Sequence, residues 1–181
     1  MKRVILFLLI LLPLSAFAQS YVFPPQLKRV EPKSGLSDVK LSVVFQDNRT
    51  YERKLNEICT KDELYAIFVD YLGQTFPNAQ VTLIPEDRYN EDPQSGTILL
   101  KLNLLKFEST LLSTVYIASV RIEAKIIDNS GDIQSVYEEK IKIEGRQMNT
   151  LGHTSGHIGL NNSFKKAFNK LTDFLENSLT N

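Results

Sequence analysis

Five stretches of the chain alternate between apolar and polar residues, which is the pattern of β-strands with one buried face. The first runs from Val39 to Gln46, and a short second one holds Val81 and Leu83 before Pro85. Three longer stretches follow with hairpin-length connections, which predicts an antiparallel meander with one wet face. The apolar residues of these three are Ile98, Leu100, Leu102 and Leu104; Tyr116, Ala118, Val120, Ile122, Ala124 and Ile126; and Ile133, Tyr137, Ile141 and Ile143.

Helical spacing follows a capping box between the first two strands. Thr60 and Glu63 have the types and separation in which each side chain bonds the other residue's backbone N–H at a helix start. Leu64, Ile67, Phe68 and Leu72 then recur at helical intervals, with Gly73 and Pro77 as stop signals. The pattern predicts a helix between Thr60 and Gly73.

A second helix is predicted from about Ile158 to Leu179, after a polar loop over Gly145 to Gly156. The element order predicts an α+β fold, a two-layer sandwich of a mostly antiparallel sheet of about five strands with two helices packed on one face. Residues 39–181 would form this single domain. The apolar stripe of the second helix is Leu160, Phe164, Ala167, Phe168, Leu171, Phe174, Leu175 and Leu179.

The N-terminus is typical of a secretory signal peptide. Lys2 and Arg3 precede an apolar run from Val4 to Leu14, and a small-residue motif ends at Ala18. We expect cleavage after Ala18, so residues 1–18 are a signal peptide and residues 19–38 an extended N-terminal segment rather than a packed element. Gln19 stands where a lipoprotein would carry its acylated cysteine, so we expect an exported product without a lipid anchor or a transmembrane segment.

Composition narrows the function classes. Without residues 1–18 the chain has 19 Lys and Arg against 21 Asp and Glu. This small negative charge argues against nucleic-acid binding and against electrostatic docking on anionic lipid. Cys59 is the only cysteine, so it cannot form an internal disulfide and is either buried, free or paired with another chain.

Residues with chemical potential are few. His153 and His157 have the i, i+4 spacing of zinc ligands, but the neighbouring glycines favour a solvated loop. Asp47 and Arg49 follow a strand, where a structural salt bridge is a simpler interpretation than catalysis. The acidic group Glu86, Asp87, Glu91 and Asp92 fits a solvated loop better than a calcium site. No nucleophile elbow or phosphate loop occurs, so we predict no catalytic, cofactor or metal residues.

Leu111 and Leu112 favour a binding role. They lie between two predicted strands, where exposed apolar side chains are costly unless a partner covers them. The alternative is that they extend the strands or fold under the end of the sheet. We name them as a candidate partner contact.

Several motifs resemble the YajG-like family of small, uncharacterised bacterial envelope lipoproteins, which is related in general shape to transport-auxiliary lipoproteins. They are Asp47-x-Arg49 after the first strand, Ile126-Ile127, Ile141-x-Ile143-Glu144-Gly145, and Leu160-Asn161-x-x-Phe164-x-x-Ala167. The resemblance spans about residues 39–179 and implies an envelope location, an α+β fold and no established enzymatic activity. The chain departs from the family in lacking the lipidated cysteine.

These observations support three hypotheses. The first is a non-enzymatic accessory protein in the periplasm or at the outer membrane of a Gram-negative bacterium, which contacts an envelope protein complex or a membrane-associated protein through a sheet edge or hairpin tip. The second is a carrier that holds a small apolar ligand between sheet and helices. The third is a hydrolase too divergent to recognise.

Overall fold

A computed structural model describes residues 19–50, 55–88, 96–129 and 134–180 of the chain. The predicted signal peptide, Glu91 and Asp92 lie outside these residues. The elements are β1 (Gln19–Val22), β2 (Lys40–Asp47), β3 (Leu55–Glu57), α1 (Lys61–Thr75), β4 (Gln80–Ile84), a 3-10 turn (Glu86–Arg88), β5 (Thr97–Leu112), β6 (Val115–Asp128), β7 (Ser135–Met148) and α2 (His153–Leu179). The predicted α+β fold is confirmed, but the described sheet has seven strands rather than about five and is mixed, with three parallel strand pairs.

The long strand β5 organises the sheet. One of its edges pairs antiparallel with β6 along nearly its whole length, and β6 pairs antiparallel with β7. On its other edge β2 pairs parallel with the first half of β5, and β1 pairs antiparallel with the second half. A register shift between Leu104 and Lys106 separates the halves. β4 and β3 then add parallel to β2 and β1, respectively.

Both helices cover the same face of this sheet. The ring of Phe164 on α2 lies 5.0 Å from that of Phe68 on α1, and both rings contact Phe107 of β5. All three side chains are fully buried. The predicted capping box is confirmed, because Glu63 N donates to Thr60 Oγ1 and Thr60 N donates to Glu63 Oε2.

The prediction of an unpacked segment at residues 19–38 is wrong for part of its length. Gln19–Val22 forms β1, and Tyr21, Val22 and Phe23 are buried in the core. The segment also crosses both helices, since Tyr71 of α1 accepts a hydrogen bond from Leu27 N and Asn161 of α2 accepts one from Gln26 N. It therefore holds the two helices together.

The predicted loop at Gly145 to Gly156 is also largely wrong. β7 continues to Met148, and α2 begins at His153 rather than near Ile158. The small residues permit close packing: a Cβ on Gly145 would lie 2.8 Å from Ser163 Oγ, and one on Gly159 would lie 3.1 Å from Gln147 Cβ. These residues let the helix approach β6 and β7. None of the helices in the described ranges is both long and apolar enough to cross a membrane.

Candidate functional site

Asp47 and Arg49 form a salt bridge at the end of β2. Arg49 Nη2 donates to Asp47 Oδ2 at 2.7 Å, and Arg49 Nε donates to Oδ1 at 2.8 Å. Both side chains are largely covered. Burial alone would raise the pKa of Asp47, but the hydrogen bonds and charge of Arg49 hold it below its usual range. Both carboxylate oxygens are engaged, which supports the structural interpretation of this pair.

An open cleft of about 600 Å³ lies beside this pair, between the start of α1 and the ends of β2 and β4. These two strands are parallel, so their carboxyl ends meet at one edge of the sheet, where ligands often bind in α/β units. Its floor is apolar, with the rings of Phe45 and Tyr65 stacked at 4.2 Å. The remaining lining residues are Lys61, Asp62, Leu83, Ile84, Pro85, Glu86 and Asp87.

The polar groups of this cleft are the Tyr65 hydroxyl and the charged residues of the rim. Burial and the nearby charge of Asp47 raise the pKa of the Tyr65 hydroxyl, so it stays protonated and cannot act as a base at neutral pH. Glu86 and Asp87 are exposed on the rim. Across the described ranges, no three His, Cys, Asp or Glu side chains are grouped closely enough to hold a metal ion.

His153 and His157 lie on the first turns of α2 rather than in the predicted solvated loop. The His153 ring lies 4.8 Å from that of Tyr21, and His157 stacks on Phe23 at 5.5 Å. His157 Nε2 is also 3.0 Å from the carbonyl oxygen of Pro24. Both histidines therefore pack the N-terminal segment onto the helix. What sequence reasoning missed was the buried strand that they face.

Cys59 is buried just before α1. Of the alternatives left open by the sequence, the structure supports burial. Its thiol pKa is raised to about 11 by burial and by the negative charge of Glu63. A thiol with this pKa is almost entirely protonated at neutral pH. Cys59 is thus a packing residue and a poor nucleophile.

Leu111 and Leu112 both extend β5 up to its turn with β6, where Ser113 has φ of 56°. Leu111 pairs with Tyr116 on the helix-covered face and is half-buried, whereas Leu112 points to the opposite face and is 36% exposed. The structure therefore separates the predicted pair.

A third leucine belongs to this end of the sheet. Asn149 N donates to Thr114 O at 2.8 Å, which brings the loop between β7 and α2 beside the turn. Leu151 in that loop is 64% exposed. Sequence reasoning missed it, although a single large apolar residue inside a polar loop was a usable signal. We call Leu111, Leu112 and Leu151 the hairpin tip.

Comparisons with known proteins give a likeness in fold. No protein-family model matches the chain, and no curated protein matches it. A hypothetical protein of Chlamydia trachomatis has a TM-score of 0.53 at 9% identity, covering 78% of this chain and 96% of its own. The lipoprotein GNA1162 of Neisseria meningitidis has a TM-score of 0.32 at 9% identity, covering 75% and 99%, respectively. The fold is thus shared with the chlamydial protein, whereas membership of the YajG-like family stays a hypothesis.

Proposed function

We propose that this chain is a non-enzymatic accessory protein of a Gram-negative cell envelope, which binds another envelope protein through its hairpin tip. The observation that carries the proposal is the exposure of Leu112 and Leu151 at one end of the sheet. Both leave apolar surface in water at the same end of the sheet, and a partner that covers both would remove this surface from water. The signal peptide predicted at residues 1–18 supports the compartment.

The cleft supports the non-enzymatic part of the proposal. A protonated Tyr65, a charge-paired Asp47 and a buried Cys59 with a raised pKa leave no activated nucleophile among the groups around α1 that the structure describes. Catalysis by acid–base transfer would need a group with a pKa near neutral in reach of a substrate. The pKa values of Tyr65 and Cys59 are raised and that of Asp47 is lowered, in each case away from neutral pH.

Substitution of Leu112 and Leu151 by serine tests the partner contact. The tagged protein is recovered from cross-linked envelope fractions, and its co-purified proteins are compared with those of the wild type. We expect the double variant to lose at least one specific partner while its thermal unfolding is nearly unchanged. Ile58→Ser is the matched control, since Ile58 is 55% exposed but follows β3, away from the tip. Capture that survives the double substitution, or that Ile58→Ser abolishes equally, contradicts the proposal.

A second candidate function is supported by the cleft between α1 and the sheet. Its apolar floor and acidic rim would suit a small ligand with an apolar part and a positive charge. Native mass spectrometry of protein taken from its own envelope fraction would show the added mass. Leu83→Arg fills the cleft from an exposed position, so it should remove that mass. A wild-type spectrum without added mass counts against this role.

A further inference from the structure

The second interaction surface is the free edge of β7. Within the described sheet β7 pairs only with β6, so its outer edge presents unpaired backbone groups along 14 residues. Its ends carry two exposed apolar side chains, Val136 at 49% and Met148 at 67%. Both belong to the face of the sheet opposite the helices, because the alternate residue Ile141 is in the core. An edge of this length invites another strand.

Between Val136 and Met148, the charged residues at equal distances before and after Lys142 have opposite charges. Glu138 lies four residues before Lys142 and Arg146 four after it, while Lys140 lies two before and Glu144 two after. All of them are exposed on the same face as Val136 and Met148. When such a strand pairs antiparallel with a copy of itself across Lys142, every negative residue meets a positive one.

We infer that the chain forms a symmetric dimer through antiparallel pairing of β7 with β7 of a second copy, with Lys142 opposite Lys142 at the two-fold axis. Val136 of one copy then lies opposite Met148 of the other. Two kinds of ion pair form twice each, Glu138 with Arg146 and Lys140 with Glu144. This inference concerns the edge of β7, whose Met148 end adjoins Leu112 of the hairpin tip, and it goes beyond the proposed function because the occupant is a second copy of the chain.

Neighbouring registers lack this complementarity. If the pairing shifts by two residues in one direction, Glu138 faces Glu144 and Lys140 faces Lys142. If it shifts by two in the other, Lys140 faces Arg146 and Lys142 faces Glu144, twice each, so two like-charge pairs offset the two ion pairs and Glu138 faces Met148. Like charges placed directly opposite each other destabilise a strand pair. A shift by one residue would put the helix-covered face of one copy on the same side of the joined sheet as the helix-free face of the other. The charge pattern therefore selects one register.

The other side of the strand fits the same register. Ile141 of each copy lies opposite Ile143 of the other, and Glu139 lies opposite Gly145, which leaves room for it. Because α2 packs over both β6 and β7, the two α2 helices would lie side by side at about 10 Å, given a strand spacing near 4.8 Å. That is a distance at which helices pack in proteins.

The dimer also joins two apolar rows on the helix-free face. Met148 continues the row that begins with Leu112 and Val115 on the neighbouring strands. Val136 continues a row with Ile127 and Leu99, two buried residues of the small second apolar cluster. Pairing Met148 with Val136 makes one row across both copies. The unfavourable element is the Lys142 pair, which places two like charges at the axis.

Charged side chains on an edge strand often prevent pairing with another strand. Charge reversal distinguishes that protective role from the proposed role of stabilising a dimer. Sedimentation equilibrium is measured on the protein purified after export, with its N-terminus read by mass spectrometry. Glu138→Arg and Arg146→Glu should each weaken dimerisation at least about tenfold, since each acts twice by symmetry. The combination of both should recover most of the lost affinity, the remainder being the cost of breaking the Glu138–Lys125 ion pair within each chain. Arg29→Glu is the control, an exposed arginine in the segment before β2. A wild type that stays monomeric at all concentrations overturns the inference.

Single cysteines test the register. Residues directly opposite in antiparallel strands have Cα atoms about 4.5–5.5 Å apart, which suits a disulfide. In a Cys59→Ser background, Lys142→Cys should give a covalent dimer on mild oxidation. Lys140→Cys should not, because residue 140 faces residue 144. Cross-linking of Lys140→Cys at the rate of Lys142→Cys, or none for Lys142→Cys, would show that the register is wrong. Lys142→Gln removes the like-charge pair and should strengthen the non-covalent dimer.

Discussion

Gly156 on the first turn of α2 gives a stability prediction in which two effects oppose each other. Alanine is the better helix former, by up to about 1 kcal/mol. A Cβ at this position, however, would lie 2.7 Å from Tyr116 Cε1 and 2.9 Å from its Cδ1. The Tyr116 ring is buried and rigid, and the Tyr21 ring packs against it at 6.2 Å, so it has little room to move. Overpacking of this kind costs about 1–3 kcal/mol.

We therefore expect Gly156→Ala to lower the free energy of unfolding by about 1–2 kcal/mol despite its gain in propensity. Urea denaturation followed by circular dichroism measures this, provided the slope with denaturant is unchanged. Gly73→Ala is the matched control, since no atom lies within 4 Å of a Cβ there and α1 continues past it. That variant should gain about 0.5–1 kcal/mol.

A double-mutant cycle attributes the loss to the ring. Tyr116→Ala is destabilising by itself, but it removes the two ring atoms nearest to the new Cβ and leaves Phe23 Cε2, at 3.2 Å, as the next nearest. In that background the cost of Gly156→Ala should shrink or reverse, which gives a coupling energy of about 1 kcal/mol or more. If Gly156→Ala is at least as stable as the wild type while Gly73→Ala behaves as expected, the steric reasoning is refuted.

Three further predictions concern single side chains. Asp47→Asn should cost about 1–3 kcal/mol, because it removes the carboxylate charge that accepts two hydrogen bonds from the nearly buried Arg49. The fold lowers the pKa of Asp47, so ionised Asp47 stabilises the protein above the usual pKa of 3.8, and this stabilisation is lost as the pH falls through the folded-state pKa. The difference in thermal stability between variant and wild type should therefore close below about pH 4. Cys59 should react slowly with iodoacetamide at pH 8 and rapidly in denaturant, and fast native labelling would contradict its burial. Tyr71→Phe removes a bridge to two backbone groups of the N-terminal segment and should cost about 1 kcal/mol by urea denaturation.

Sequence patterns predicted the elements that carry a repeated signal. Alternation over β5 and β6 extends across whole strands, and the capping box at Thr60 marks the start of α1 by local chemistry. Gln19–Val22 is four residues long and stands before two prolines, so no period could reveal it. It becomes a strand because Ser20 and its neighbours pair with β5 some 90 residues later. Long-range pairing of a short strand is invisible in a local pattern.

Sequence patterns also predicted the candidate site incompletely, because its contacts join residues far apart in the chain. Glycines near the start of α2 suggested a loop because glycine lowers helix propensity, yet here they allow contact with Tyr116 and Gln147. The spacing of His153 and His157 fits one helical face, but the neighbouring glycines led to the wrong prediction of a loop, and only the position of the N-terminal segment shows that aromatic rings occupy that face. The position of Leu112 between two predicted strands indicated a candidate contact, whereas only the hydrogen bond from Asn149 to Thr114 shows that Leu151 lies at the same end of the sheet.

The pairing of Gln19 with Leu111 fixes where the chain enters the fold. Gln19 is the first residue that the structure describes, so an affinity tag fused at this position would stand beside the surface proposed for the partner contact.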